Sequence, residues 1–417
     1  MRLLVALFGI ALAGCQKAGD ERPALPPLEL SERQDWLERQ QAGAPAPPSE
    51  ERLAELRDLM LTGFSDEFGS RLSGRARERL LRQDDAFRVL EEGLSNEDAS
   101  IREHCLFELG RLQRPASILP LLLRLKYEPD QGLKAHVAGA LFRLGNGAGL
   151  VELIRQMAFE PTAEQAGLVA IEICQLAKLE LGEQPTYVEL TRALERLADD
   201  WKNTGRTAIG RGDPDPSLDP LVQGRVAEHL LALRGTELRP VDDARFVLSR
   251  AGRLALPLLK QTVRASEPYL RAHSLEIVRD LGRAAAELGP EILPLLADPL
   301  SRADAARTLG ELGETRAAPF LIDMLADPDV ELRAAAASAL GPLRVEAAIL
   351  PLQARLDDPD EVLDVRVMAA FSLAIFELDR PARDFLLERR RQGDFHGPTI
   401  DELLDRLDEI DRRRSSG

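Results

Sequence analysis

Three histidines occupy equivalent positions in a repeated pattern and are the first candidates for metal chemistry. His104, His136 and His273 each fall two residues after a basic residue that recurs along the chain. A zinc site needs three or four ligands at about 2 Å, and the pattern aims no carboxylate at these rings. Packing between repeats, with a polar tip, is the other interpretation. We predict no metal site and no cofactor.

Motifs that would carry out catalysis are missing from the sequence. It contains no nucleophile elbow, P-loop, HExxH or CxxC. Asp and Glu are abundant, but they lie on expected helix surfaces and caps, and no pair stands out as an acid/base couple. The chain is therefore predicted not to be an enzyme.

The N-terminus carries a candidate for covalent modification. An apolar run from Leu3 to Leu12 follows Arg2; it has signal-peptide length and is too short to span a bilayer stably. The run ends in Leu12-Ala13-Gly14-Cys15, which resembles the bacterial lipobox, in which the cysteine thiol is diacylated. A chance cysteine after a general signal peptide is the alternative. Acyl chains on Cys15 would anchor the protein in a membrane, facing the periplasm or cell exterior.

Residue 16 bears on which membrane would hold that anchor. It is glutamine rather than aspartate. Where the cell has an outer membrane, the lipoprotein sorting pattern that this resembles favours that membrane.

The elements that would position functional residues are helical pairs that recur about every 32 residues. In each unit a proline lies in a short apolar run, and a basic residue usually follows 14 or 15 positions later. Apolar residues at minus one, plus seven and plus ten from that basic residue share one helix face. The prolines are Pro120, Pro257, Pro294, Pro319 and Pro351, and the basic residues are Arg102, Lys134, Arg271, Arg302, Arg333 and Arg366.

An acid usually lies four residues before the basic residue. Such an acid can cap the new helix and favour its positive N-terminal end. The arginine either bridges to such an acid in the next repeat or is a solvated surface charge, which contributes little. The acids are Asp98, Asp130, Glu267, Asp298 and Asp329.

These units resemble HEAT repeats, in particular the short bacterial type named after phycobilisome (PBS) lyases. The resemblance is strongest from Glu314 to Leu343, is good around residues 84–145 and 254–378, and is poor from about 180 to 250. It implies an all-α, right-handed α-α superhelix, a HEAT/armadillo-like solenoid. The proline-bearing A helix would be outermost, and the arginine-bearing B helix would line a concave face.

Two enzyme classes share such repeats, and neither activity is supported. HEAT-repeat iron hydroxylases carry His-Glu pairs, and this sequence has no His-Glu dipeptide. The bilin lyases do not encode their activity in the repeat consensus.

Pattern and composition divide the chain into six segments. The proline-rich segment could hold one or two helical turns, and Trp36 either docks it on the solenoid or stays half-exposed. The Gly/Pro-rich loop either contacts a ligand through Arg206, Arg211 and Asp213 or is a mobile insertion. The segments are a signal peptide (1–14), a Pro-rich tether (15–48), N-terminal repeats (49–201), a loop insertion (202–221), C-terminal repeats (222–397) and a C-terminal capping helix and tail (398–417).

Composition limits the possible partners. The formal net charge is −16, which disfavours nucleic acid and broad contact with anionic lipid headgroups. Besides Cys15 the chain has only Cys105 and Cys174, about two repeats apart. Packed helices lie about 8–10 Å apart, farther than a disulfide can bridge, so both are predicted to be small buried residues.

The predicted binding surface is the concave B-helix face. Positions plus one, five, eight and nine from the recurring basic residue are expected to point into this groove. Exposed aromatics rimmed by charge are typical of protein or peptide surfaces; alternatively, Phe107 and Phe371 pack on neighbouring helices or on the tether. The candidate residues are Glu103, Phe107, Arg111, Phe142, Arg143, Glu276, Arg279, Arg307, Glu311, Phe371 and Ile375.

The sequence thus predicts a non-catalytic protein-protein interaction scaffold, a membrane-tethered envelope lipoprotein that binds a protein or peptide in its groove. The alternative is an enzyme, or an accessory subunit of an envelope enzyme, with its site in the groove or in the loop at 202–221.

Overall fold

A computed structural model of the protein describes residues 25–30, 36–64, 74–159, 164–182, 184–207, 216–376, 380–393 and 400–415. Throughout these ranges the regular elements are helices, and no strand occurs in them. The predicted all-α solenoid is confirmed. None of the described helices is both long and apolar enough to cross a membrane. The predicted signal peptide and Cys15 lie outside the described residues.

The N-terminal half forms a first array, residues 50–204, preceded by one short helix. Its B helices are α5, α7 and α9, which stack on one another, and α6 and α8 are the A helices between them. The elements are α1 (Trp36–Ala42), α2 (Glu50–Phe64), α3 (Gly74–Leu81), α4 (Ala86–Gly93), α5 (Ala99–Leu112), α6 (Ile118–Tyr127), α7 (Gln131–Arg143), α8 (Leu150–Phe159), α9 (Glu164–Leu176) and α10 (Tyr187–Thr204).

The C-terminal half forms a second array, residues 220–392, followed by a terminal helix. Its B helices α14, α16, α18 and α20 stack in that order. The elements are α11 (Pro220–Ala232), α12 (Leu238–Leu248), α13 (Leu256–Thr262), α14 (Pro268–Leu281), α15 (Gly289–Ile292), α16 (Arg302–Leu312), α17 (Ala318–Met324), α18 (Val330–Leu343), α19 (Ile349–Asp357), α20 (Leu363–Ile375), α21 (Arg380–Gln392) and α22 (Ile400–Ser415).

The recurring prolines lie where a helix tolerates them. Pro257 and Pro319 occupy the first turns of α13 and α17. A backbone N–H at this position has no intrahelical acceptor, so its loss costs nothing, and the fixed φ suits a helix start. Short 3₁₀ turns precede these A helices, at Gly252–Ala255 and Thr315–Ala317. The proline pattern therefore marks A-helix starts.

Aspartates begin several B helices, as predicted. The side chains of Asp98, Asp130 and Asp329 accept hydrogen bonds from backbone N–H groups in the first turns of α5, α7 and α18. Each cap satisfies an otherwise unpaired donor and favours the positive helix end. Glu267 makes no such bond, although it precedes α14.

Four of the recurring arginines form ion pairs with the loop between the A and B helices of the next repeat, whereas Arg366 donates to the Leu356 carbonyl at 3.0 Å. Only Arg271 meets an acid that the pattern marks, Asp298; the other three pair with acids of this loop that the pattern did not mark. Burial alone raises the pKa of Glu361, but hydrogen bonds from Arg333 and the Val362 amide outweigh it and lower the pKa. The pairs are Arg102–Glu128 at 3.1 Å, Arg271–Asp298 at 2.9 Å, Arg302–Asp327 at 3.1 Å and Arg333–Glu361 at 2.7 Å.

The two arrays contact each other directly, which the sequence did not predict. Arg225 of α11 pairs with Glu91 of α4 at 2.7 Å and donates to the Ala116 carbonyl at 2.5 Å. Lys126 of α6 pairs with Asp243 of α12 at 2.7 Å. One apolar core runs through both arrays, and a second, smaller core lies under α7–α10. The chain is therefore not a single unbroken stack.

The predicted tether is partly docked. We call residues 25–30 and 36–44 the strap. Leu37 in α1 is 1% exposed and belongs to the shared core, while Trp36 is half-buried and packs against that core. Glu38 pairs with Arg234 at 2.5 Å, and Arg264 donates to the Glu29 carbonyl at 3.1 Å. The strap thus lies on the second array, and Trp36 is at its docking site.

The predicted loop at 202–221 is shorter than its sequence suggested. Helix α10 extends to Thr204 and ends at Gly205, whose φ of 67° favours glycine. Thr207 is buried, and α11 begins at Pro220. Arg211 and Asp213 lie outside the described residues.

The unit around Pro294 is irregular. Its A helix is short, with α15 followed by a 3₁₀ segment at Leu293–Ala297. The preceding B helix, α14, ends at Leu281. Gly282 follows with a φ of 54°, and a 3₁₀ segment continues to Leu288. The positive φ ends the α-helix.

Candidate functional site

The candidate site is the B-helix face, the sides of the B helices that carry the predicted binding residues. In the first array its centre is Phe107 of α5, which is 47% exposed. The guanidinium groups of Arg111 and Arg143 lie 5.8 and 5.5 Å from the centre of its ring. The structure brings these three predicted residues together. Two cations over one aromatic ring hold its orientation while leaving much of it open.

Acidic residues flank this cluster. Arg143 forms a close ion pair with Glu172 of α9, and Glu103 of α5 lies 3.4 Å from Nδ1 of His136 in α7. Each contact joins neighbouring B helices. The charged residues here therefore help to set the spacing between neighbouring B helices as well as the charge pattern of the face.

The structure corrects the expected exposure of Phe142. Its side chain is fully buried in the smaller core, among residues of α8 and α9 such as Leu153 and Ile173. A helical wheel locates a side chain only to within a broad sector, and here that sector is filled by the next repeat. Phe142 is a packing residue, although Arg143 beside it reaches the surface.

In the second array, the predicted residues of α14 and α16 take part in ion pairs at the surface. Glu276 lies 3.0 Å from Arg245, 3.4 Å from His273 and 3.9 Å from Arg279. Pairs with this exposure contribute little stability. The B-helix face is therefore charged at these positions, and none of the predicted residues of α14 and α16 is aromatic, unlike Phe107 in the first array. Arg307 likewise pairs with Asp304 and Glu331, both at 3.3 Å.

The remaining predicted residues lie beneath other parts of the chain. Phe371 and Ile375 of α20 are buried. This corrects the expected exposure of Ile375 and, for Phe371, agrees with the alternative that its ring packs on neighbouring helices. The Arg406 guanidinium of α22 lies 5.5 Å from the Phe371 ring and pairs with Glu311 at 2.6 Å. The terminal helix therefore covers this part of the face.

Each of the three histidines lies near one carboxylate, which the sequence did not predict: Glu108 for His104, Glu103 for His136 and Glu276 for His273. Nε2 of His104 is 3.8 Å from Glu108, both buried. The described residues include no group of three or more His, Cys, Asp or Glu side chains that could hold a metal ion. Cys105 and Cys174 are unbonded and buried, as predicted. Burial raises their thiol pKa values to about 12 and about 11, so both stay protonated and unreactive.

The sequence pattern did not single out one exposed row of apolar side chains. Leu238, Tyr269 and Leu300 are 87, 82 and 72% exposed and lie at or just before the N-terminal ends of α12, α14 and α16. Their constant spacing of 31 residues was the available signal. The row therefore lies at the N-terminal ends of these helices. Phe107 and Glu311, in contrast, lie in the C-terminal halves of α5 and α16.

Comparison with known families identifies the repeats. Residues 255–340, 289–374 and 319–395 match the family model described as HEAT repeats. In this region, which is about a third of the chain, the sequence is similar to HEAT repeats. No curated protein matches the sequence.

Several solved structures resemble the chain at low identity. Human deoxyhypusine hydroxylase in complex with glycerol is 22% identical, with 78% of this chain and 97% of that chain covered and a TM-score of 0.24. Kap121p bound to Pho4p is 18% identical over 82% of this chain and 44% of that chain, with a TM-score of 0.33. The CpcE–CpcF complex of phycocyanin lyase from Nostoc is 16% identical over 78% and 94%, with a TM-score of 0.25. At these TM-scores, no activity or partner is carried over from them.

Proposed function

We propose that this chain, which is similar to HEAT repeats over about a third of its length, is a non-catalytic interaction scaffold that binds a protein or peptide on its B-helix face. The observation that carries the proposal is Phe107, an aromatic residue nearly half exposed between Arg111 and Arg143. Burying polar groups at this point of an interface would cost desolvation free energy. A ring beside two guanidinium groups offers a partner apolar surface and positive charge together. Aromatic and arginine side chains dominate the energy of protein interfaces.

The chemistry of the cluster defines the partner segment. An apolar side chain would pack on the Phe107 ring, and a carboxylate beside it would pair with Arg111. Arg143 is already paired with Glu172, so it would orient the ring rather than supply free charge. The partner is thus a segment that presents an apolar residue next to an acidic one.

Photo-crosslinking tests this surface directly. A photoreactive phenylalanine analogue at position 107 should give one or a few defined adducts in the native membrane fraction. The matched control is Val151, an exposed apolar residue on A helix α8 of the same array. Mass spectrometry identifies the adducts, and Phe107→Ala should weaken binding of the purified partner about tenfold or more. Identical adducts from positions 107 and 151 would contradict the proposal.

We propose further that the scaffold is lipid-anchored through Cys15. The support is the sequence Leu12-Ala13-Gly14-Cys15 after an apolar run. The variant Cys15→Ser should lose acylation and move to the soluble fraction, because an unacylated chain has no other anchor in this proposal. Fractionation with labelled fatty acid measures both effects. Continued incorporation of label into the serine variant would contradict acylation at Cys15.

The enzyme alternative requires different evidence. Metal analysis of the purified protein is the quickest discriminator, since stoichiometric metal would favour an active site over a binding surface.

A further inference from the structure

The terminal helix α22 has one strongly apolar face. Ile400, Leu403, Leu404 and Leu407 are all buried in the shared core. Their spacing of i, i+3, i+4 and i+7 places them on one side of a helix. The opposite side is charged and exposed. Helix α22 is therefore amphipathic, and its apolar side packs against α20 and α21.

A charged contact shows how far α22 extends over the second array. Nη2 of Arg406 lies 2.6 and 2.7 Å from the two carboxylate oxygens of Glu311, and the guanidinium lies over Phe371. Glu311 belongs to α16 and Phe371 to α20, and α18 packs between those two helices. The Arg406 side chain thus connects α22 to α16 and α20, the B helices on either side of α18. A capping helix would be expected to cover only the last repeat.

The polar contacts hold α22 only weakly. The Arg406 and Glu311 side chains are both partly exposed, as are Arg383, Asp408 and Asp411, which join α21 to α22. Exposed ion pairs of this kind contribute little. Attachment therefore rests on a single apolar helix face at the end of the chain. Such a terminal segment can open locally, at the cost of exposing its four buried apolar side chains.

We propose that this part of the B-helix face is a docking site for an amphipathic helix, and that α22 is its intramolecular occupant. The inference rests on the proposed scaffold function. The partner helix carries apolar residues at i, i+3, i+4 and i+7, with an arginine directly before the last of them to meet Glu311. Binding of the partner replaces α22, so the terminal helix lowers the apparent affinity of the site until it is displaced.

A peptide of the chain's own sequence tests the site in the full-length protein. A fluorescent synthetic peptide of residues 398–415 should bind the Arg406→Glu variant about fivefold more tightly than the wild-type chain, measured by anisotropy. The substitution places like charge beside Glu311 and so loosens the resident helix. Arg316→Glu is the matched control, because Arg316 is an exposed arginine that pairs with Glu314 outside this face. It should leave peptide binding unchanged.

Exchanging the charges of Glu311 and Arg406 tests whether the peptide uses this contact. Chains carrying both Glu311→Arg and Arg406→Glu should prefer a peptide that also carries Arg406→Glu. Hydrogen exchange in residues 400–415 should quicken when peptide is added to the wild-type chain, because the resident helix is displaced.

Two results would overturn the inference. If Arg406→Glu lowers the melting temperature and no peptide binds to any variant, α22 is a structural cap. If peptide binds but ignores the charge at position 311, the docking site lies elsewhere. Both readouts are independent of crosslinking at position 107, so failure here leaves the first-array surface standing, and the reverse also holds.

Discussion

Replacing Arg271 with methionine is expected to lower the free energy of unfolding by about 3–5 kcal/mol. Arg271 is 1% exposed and pairs with Asp298, which is 7% exposed, at 2.9 Å. Its Nε donates to Ser301 at 2.7 Å, and Nη1 donates to the Ala265 carbonyl at 2.5 Å. Methionine keeps much of the volume but leaves the aspartate buried without its cation. That uncompensated charge is the source of the loss.

Chemical unfolding of three variants separates this effect from general loss of charge. Arg316→Met removes an exposed arginine and should cost less than about 1 kcal/mol. The double variant Arg271→Met with Asp298→Asn should recover part of the loss, since the buried charge is gone. A cost for Arg271→Met no larger than that for Arg316→Met would show that the pair is solvated.

Replacing Phe142 with alanine is expected to cost about 3–5 kcal/mol of unfolding free energy. Its ring is fully buried in the smaller core beneath α7–α10. Truncation removes apolar contacts and leaves a cavity that the neighbouring helices fill only partly. Chemical unfolding monitored by circular dichroism gives the difference directly.

Phe107→Ala is the matched control for this measurement. It removes the same side chain from the preceding B helix, but from an exposed position, and should cost less than about 1 kcal/mol. Equal losses for the two variants would mean that both rings are packed alike. If both losses are negligible, the Phe142 side chain is exposed and belongs to the binding surface.

The sequence predicted the parts of this fold that depend on local physics. Prolines in the first turns of A helices, aspartate caps on B helices and the pairing of Arg271 with the next repeat each follow from contacts within about one repeat. Such features recur with the period and can be read directly from it.

The remaining features depend on contacts between distant segments. Arg225 meets Glu91 across 134 residues, and Arg406 meets Glu311 across 95. Nothing in a repeat pattern specifies which array lies beside another, or which face a terminal helix covers. The sequence left both Phe107 and Phe371 open between exposure and packing for this reason. Phe371 is contacted by Arg406 of a helix outside its own repeat, whereas Phe107 stays nearly half exposed.

The strap changes how an anchored molecule would lie relative to its bilayer. A free chain from residue 15 to residue 48 could extend about 120 Å, but residues 25–30 are already fixed beside Arg264. Cys15 is separated from the strap by residues 15–24, and ten residues span at most about 35 Å. An anchor at Cys15 would therefore keep residue 25 within about 35 Å of the lipid, and with it the part of the second array that the strap contacts.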